Sequence, residues 1–82
     1  MANQKSVLSP IPGVFYRKPA PDKEEYVKEG GNVKAGDVIG LVEVMKSFYE
    51  IKAENDGVLA QYFVENEDLI DAGQEVAVII EQ

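Results

Sequence analysis

No cysteine, no histidine and no tryptophan occur in the 82 residues. Without cysteine the chain can form no disulfide and offers no thiolate nucleophile. Without histidine it can build no Ser-His-Asp triad, and the commonest general acid–base residue is missing. Together the two absences remove the nitrogen and sulfur ligands of a zinc site, so no metal is expected. Basic residues are scarce, 8 Lys and Arg against 15 Asp and Glu, for a net charge of −7. That charge repels phosphate backbones and disfavours anionic membrane surfaces, so neither a nucleic acid nor a membrane is an expected partner. Long apolar runs are also missing. The cleanest, Val76-Ala77-Val78-Ile79-Ile80, is far below the roughly 20 residues of a membrane-spanning helix. No basic segment followed by an apolar one comes after Met1, so no signal peptide is expected and the predicted location is cytoplasmic. None of the glycines falls in a GxGxxG or P-loop pattern, so phosphate binding has no support.

What is present reads as short strands. The apolar fraction, 45%, is ordinary for a globular domain. The length predicts one domain, residues 1–82, with residues 1–5 frayed. No stretch has a helical period. β-rich runs alternate with turn signals at Pro12-Gly13, Gly30-Gly31-Asn32, Ala35-Gly36-Asp37, Asn55-Asp56-Gly57 and Ala72-Gly73-Gln74. This pattern predicts an all-β barrel or sandwich. The predicted strands are Val7–Ile11, Val14–Arg17, Tyr26–Val27, Val38–Val44, Phe48–Ala53, Val58–Val64 and Val76–Ile80, with short bridges at Asn32–Val33 and Leu69–Ile70.

An internal repeat orders these pieces. At an offset of 37, Gly36 falls on Gly73, Val27 on Val64, Val33 on Ile70, Ala35 on Ala72, Ile39 on Val76 and Val42 on Ile79. Upstream, Gly13-Val14-Phe15 falls on Gly57-Val58-Leu59 at an offset of 44. The difference, 44 − 37 = 7, predicts seven extra residues in the first half, between Phe15 and Val27. The same offsets carry Lys46 to 83 and to 2, so the lysine stands at the junction of the halves and its image is the pair of chain ends.

The segment around that lysine is GLVEVMKSFYEI, residues 40–51. Leu41, Glu43 and Met45 point one way and Val42 and Val44 the other, and the alternation resumes after Ser47. A two-residue hairpin bend needs positive φ and favours Asn-Gly or Asp-Gly. This chain spends Met45 and Lys46 there, at a cost on the order of 1 kcal/mol for each residue with a Cβ. An exposed lysine in a turn is ordinarily just a solvated side chain. One fixed by strong strands in an unfavourable turn, at a repeat junction, suits an amine that another protein must handle.

Glu43-Val44-Met45-Lys46 resembles the E-A-M-K-M signature of biotin carboxyl carrier domains, within the biotinyl and lipoyl attachment family. The surrounding AGDVIGLVEVMK and IKAENDGVLAQYFVENEDLIDAGQEVAVI match as well, so the resemblance runs from about Pro10 to Ile80. GVFYRKPAPDKE looks like the G-T-F-Y-R-x-P-x-P-D segment of the acetyl-CoA carboxylase type. Val44 stands where that family usually has Ala, and Ser47 where it often has Met. The resemblance implies a flattened β-barrel, the barrel-sandwich hybrid, made of two four-stranded antiparallel sheets with a pseudo-twofold repeat. It implies biotin joined to Lys46 by a biotin protein ligase, in a site that includes Met45, Glu43, Val44 and Ser47. The excess residues, about 17–25, become a thumb whose Lys18, Pro19, Ala20 and Pro21 can contact the biotin. The domain itself catalyses nothing. It carries a carboxyl group from a biotin carboxylase to a carboxyltransferase acting on an acyl-CoA such as acetyl-CoA, the entry to fatty acid synthesis.

Two other functions share the fold. Lipoyl carriers of 2-oxoacid dehydrogenase or glycine cleavage type typically read D-K-A at the tip and lack the thumb. Efflux adaptors with lipoyl-like barrels interrupt the hairpin with a long helical insertion, and none is present here.

Overall fold

Residues 3–81 are described in the computed structural model of the chain. Eight strands form: β1 (Gln4–Leu8), β2 (Gly13–Tyr16), β3 (Asn32–Val33), β4 (Val38–Val44), β5 (Ser47–Lys52), β6 (Gly57–Tyr62), β7 (Leu69–Ile70) and β8 (Glu75–Glu81). They make two four-stranded sheets, in the orders β1-β8-β6-β3 and β5-β4-β2-β7. Every pairing is antiparallel. Both sheets contribute to one core, in which Phe15, Ile39, Val42, Leu59, Val76 and Ile79 are almost wholly buried. The expected pair of four-stranded antiparallel sheets is therefore observed. Among the described residues no ladder joins the two sheets. Side chains bridge them instead: the Tyr62 hydroxyl donates to the Ile39 carbonyl at 2.8 Å, and the Arg17 guanidinium donates to the Val64 carbonyl at 2.7 and 3.1 Å.

The repeat holds at the level of single hydrogen bonds. Glu43 pairs with Phe48 and, 37 and 44 residues away, Ile80 pairs with Gln4. The irregularity between Val38 and Gly40 has its image between Val7 and Leu8. Gly36 donates to the Ala53 carbonyl at 2.8 Å, as Gly73 donates to that of Ser9 at 2.7 Å. The Lys34 amide meets the Asp37 carboxylate, and the Asp71 amide the Gln74 side chain, each at 2.9 Å. One difference changes the arithmetic. β6 carries a bulge between Leu59 and Gln61 that β2 lacks, so Tyr16 corresponds to Gln61 at an offset of 45. With Val27 on Val64 at 37, the first half has 45 − 37 = 8 extra residues, not the seven expected. Eight residues, 18–25, lie between Arg17 and Tyr26, whose backbone bond (Tyr26 N to Arg17 O, 2.9 Å) closes the neck of the excursion.

Two strand expectations shift for local reasons. Tyr26–Val27 forms no strand. The Tyr26 amide closes that neck and the Val27 carbonyl accepts from the Tyr62 hydroxyl at 3.2 Å, which leaves little for a ladder. The first strand runs Gln4–Leu8, not Val7–Ile11, and Gln4 and Lys5, expected to fray, pair with β8. It stops because the Ser9 hydroxyl donates to the Ile11 carbonyl at 2.6 Å and Pro10 has no amide to offer. Residues 1 and 2 of the expected frayed end lie outside the described residues. Strands β2, β5, β6 and β8 differ from expectation by one or two residues at their ends. Among the described residues no helix is long and apolar enough to cross a membrane.

Candidate functional site

Val44 and Ser47 are the last pair of the β4–β5 ladder, so Met45 and Lys46 form a two-residue loop. Their φ angles are 50° and 67°. Positive φ at both central positions is the type I′ turn, whose twist matches the strands it joins. Both side chains are exposed, Met45 to 92%. Lys46 takes part in no ion pair among the described residues. Its amine is therefore unpartnered, on a backbone with little freedom.

Sequence fixes that backbone from beneath. β4 lies between β5 and β2, and Val44 packs against the core. Gly13, at the start of β2, lets the neighbouring strand close in beside the tip. A Cβ there would stand 2.4 Å from the Glu43 carbonyl oxygen and 2.7 Å from the side chains of Val42 and Val44. Glu43, on the outer face, accepts a hydrogen bond from the Tyr16 hydroxyl at 2.8 Å. That bond, partial burial and the charges of Glu43 and Glu67 raise the Tyr16 pKa above its usual value, so the phenol stays a donor. The Tyr16 ring lies 6.3 Å from that of Phe48, Glu43's partner across the ladder.

Tyr16 and Phe48 form one wall of a cleft of about 460 Å³ beside the turn. Lys18, Pro19, Ala20 and Pro21 form another, and Asn66 and Glu67 contribute as well. Leu41 explains the cleft's depth. It points away from the core, yet it is only 8% exposed and lines the cleft under the 18–21 segment. The root of that segment is anchored. The Arg17 guanidinium stacks 4.3 Å from the centre of the Tyr62 ring, pairs with Glu25 at 3.4 Å and Glu65 at 3.8 Å, and the Arg17 amide donates to Asn66 Oδ1 at 2.8 Å. Burial lifts the Tyr62 hydroxyl to about 12 against the opposing pull of Arg17.

Of the residues singled out in sequence, Met45, Lys46 and Ser47 lie at the turn, exposed. Glu43 faces the cleft side through Tyr16, while Val44 serves the core. Lys18, Pro19, Ala20 and Pro21 lie along the cleft. Sequence reading missed Tyr16, Leu41, Asn66 and Glu67 as part of the same place. For Glu67 a signal existed: the offset of 37 sets it on Gly30. Among the described residues no group of three or more carboxylates is placed to hold a metal ion.

Residues 5–79 match the model of a family described as biotin-requiring enzyme. Among curated relatives, the biotin carboxyl carrier protein of acetyl-CoA carboxylase of Porphyra purpurea is 38% identical over 72 residues, covering 88% of this chain and 46% of its own. The protein of the same name from Streptococcus pyogenes is 43% identical over 68 residues, covering 83% and 41%. That of Pseudomonas aeruginosa is 36% identical over 78 residues, covering 95% and 50%. The chain thus spans about half the length of these relatives or less. Among solved structures, the urea carboxylase of Kluyveromyces lactis superposes with a TM-score of 0.77 at 28% identity, over 94% of this chain and 6% of that one. An aspartoacylase family protein of Mesorhizobium loti superposes with a TM-score of 0.71 at 21% identity, over 93% of this chain and 22% of that one, a likeness of fold.

Proposed function

The chain belongs to the biotin-requiring enzyme family, and on that premise we propose that it is a biotin carboxyl carrier domain with biotin joined through an amide to the Lys46 amine. The observation that carries this reading is the Met45-Lys46 turn, both residues at positive φ with an exposed, unpartnered amine between fixed strands. The site also fits the group. An acceptor for covalent attachment must reach a ligase active site, and the cleft beside it has apolar walls in Leu41, Phe48 and Pro19 with polar groups between them, as a fused-ring head with a ureido edge requires.

Biotin, when attached, accepts a carboxyl group at one active site and gives it up at another. The chain's own residues hold and present it. Gly13 and the Tyr16–Glu43 bond keep the tip in one geometry for the partner to read. The 18–21 segment acts as a thumb over the cleft. The partners are a biotin protein ligase, a biotin carboxylase and a carboxyltransferase, with acetyl-CoA the acceptor by likeness to the named relatives. The carrier catalyses neither step and works in the cytoplasm. Tethering makes each encounter effectively intramolecular, which raises the local concentration of the carried group. The relatives' names favour this reading over a lipoyl carrier.

The test is attachment in vitro with a biotin protein ligase, ATP and biotin. The wild-type chain takes one biotin and Lys46→Arg takes none. Equal labelling of the two would overturn the assignment.

A further inference from the structure

The repeat contains one place where the two halves agree in backbone and disagree in side chain. Gly30 has φ 87° and donates to the Leu59 carbonyl at 2.7 Å. Its image, Glu67, has φ 73° and donates to the Phe15 carbonyl at 2.6 Å. The same left-handed turn closes both halves. In one half it has the residue that adopts it freely, and in the other a residue with a Cβ that opposes it. A Cβ at Gly30 would meet nothing within 4 Å, so the turn itself excludes no side chain on grounds of space. What separates the two positions is their surroundings. Glu67 lines the cleft beside Lys46, together with Tyr16, Phe48 and the thumb.

Its carboxylate is also free. Glu43 is engaged by Tyr16, and Glu25 and Glu65 by Arg17. Among the described residues Glu67 enters no side-chain hydrogen bond or ion pair, nor does Lys18, which shares the lining. The cleft thus offers one strong acceptor and one strong donor over apolar walls. A ureido ring has the complementary edge: two N–H donors flanking one carbonyl acceptor. Phe48, the second residue of β5, lies two residues from Lys46, at most about 7 Å at ~3.4 Å per residue, so the mouth of the cleft begins beside the attachment point.

We infer that Glu67 is the acceptor with which this cleft holds the ureido N–H of a biotin attached to Lys46, and that this contact is why a non-glycine residue occupies the left-handed turn. The inference rests on the proposed attachment at Lys46. Lys18, which shares the lining, is the donor to the ureido carbonyl. Glu67 then divides the attached head between a docked state in the cleft and a free state that a partner can take up.

The test uses the biotinylated full chain, as wild type, Glu67→Gly and Glu67→Gln, with intact mass and peptide mapping establishing biotin on Lys46 in each. The readouts are the rate of capture by streptavidin, which takes only a free head, and nuclear Overhauser contacts between the ureido protons and the Phe48 ring. In the wild type those contacts are present. Glu67→Gly loses them and is captured faster by about fivefold, the weight of one net hydrogen bond. Glu67→Gln, which keeps a neutral acceptor, falls between. Glu67→Gly also melts higher than the wild type, because it takes the residue its repeat image already uses. Equal capture rates and unchanged contacts, with biotin on Lys46 in all three, would overturn the inference and leave the carrier function standing. Failure of the wild type to carry biotin on Lys46 would overturn both.

Discussion

Met45 and Lys46 both carry a Cβ into the left-handed region, where each costs about 1–2 kcal/mol relative to a residue that adopts it freely. The hairpin would be more stable with the residues that type I′ turns favour. Replacing the pair (Met45→Asn, Lys46→Gly) should raise unfolding stability by about 1–2 kcal/mol in denaturant melts while abolishing biotin attachment. Unchanged or lower stability would mean that the two side chains support the turn, and that the amine is not held there against a structural cost. Lys46 was legible in sequence because a hairpin signal was missing where strong strands required one. Glu67 was legible only in hindsight. Its offset from Gly30 was visible, but which face of the fold it joined depends on the packing of β2, the thumb and the turn before β7.

Strand β4 shows how far pattern reading reaches at the scale of elements. The alternation of Leu41 and Glu43 against Val42 and Val44 is the one observed, with Val42 and Val44 on the core side, while Met45 leaves the strand for the turn. Pattern alone would leave Leu41 exposed on the outer face. It is buried because a segment distant in sequence folds over it, and that information does not lie in β4. The same limit explains Tyr26–Val27, whose composition is that of a strand but whose backbone groups are bonded to Arg17 and Tyr62. The approach of β2 to β4 is the element-scale support of the tip. Gly13→Ala places a carbon 2.4 Å from the Glu43 carbonyl oxygen, so the strands must part. Overpacking of this kind costs about 1–3 kcal/mol. Denaturant melts should show that loss, together with slower ligase modification of Lys46 than in the wild type. Wild-type stability with a wild-type modification rate would mean that the close approach does not set the tip.

The described residues are two copies of one four-strand plan, with an eight-residue excess on one side only. The half containing β6 closes without such an excess, so the 18–25 segment is expected to be dispensable to the fold. Deleting residues 18–25, so that Arg17 joins Tyr26 across the bond that already links them, should leave the strand content and cooperative unfolding intact by circular dichroism. It should also expose Leu41 and open the cleft, so that the attached head is captured by streptavidin faster than in the intact chain. A deleted chain that fails to fold would make the segment part of the core. At this scale the central claim is that one amine, Lys46, carries the cofactor of the entire chain. The most direct measurement is the intact mass of the protein purified from its natural host, followed by peptide mapping. The expected result is a population bearing a single biotin, located on Lys46 and on no other lysine. A lipoyl group on Lys46, or biotin on a different lysine, would contradict it.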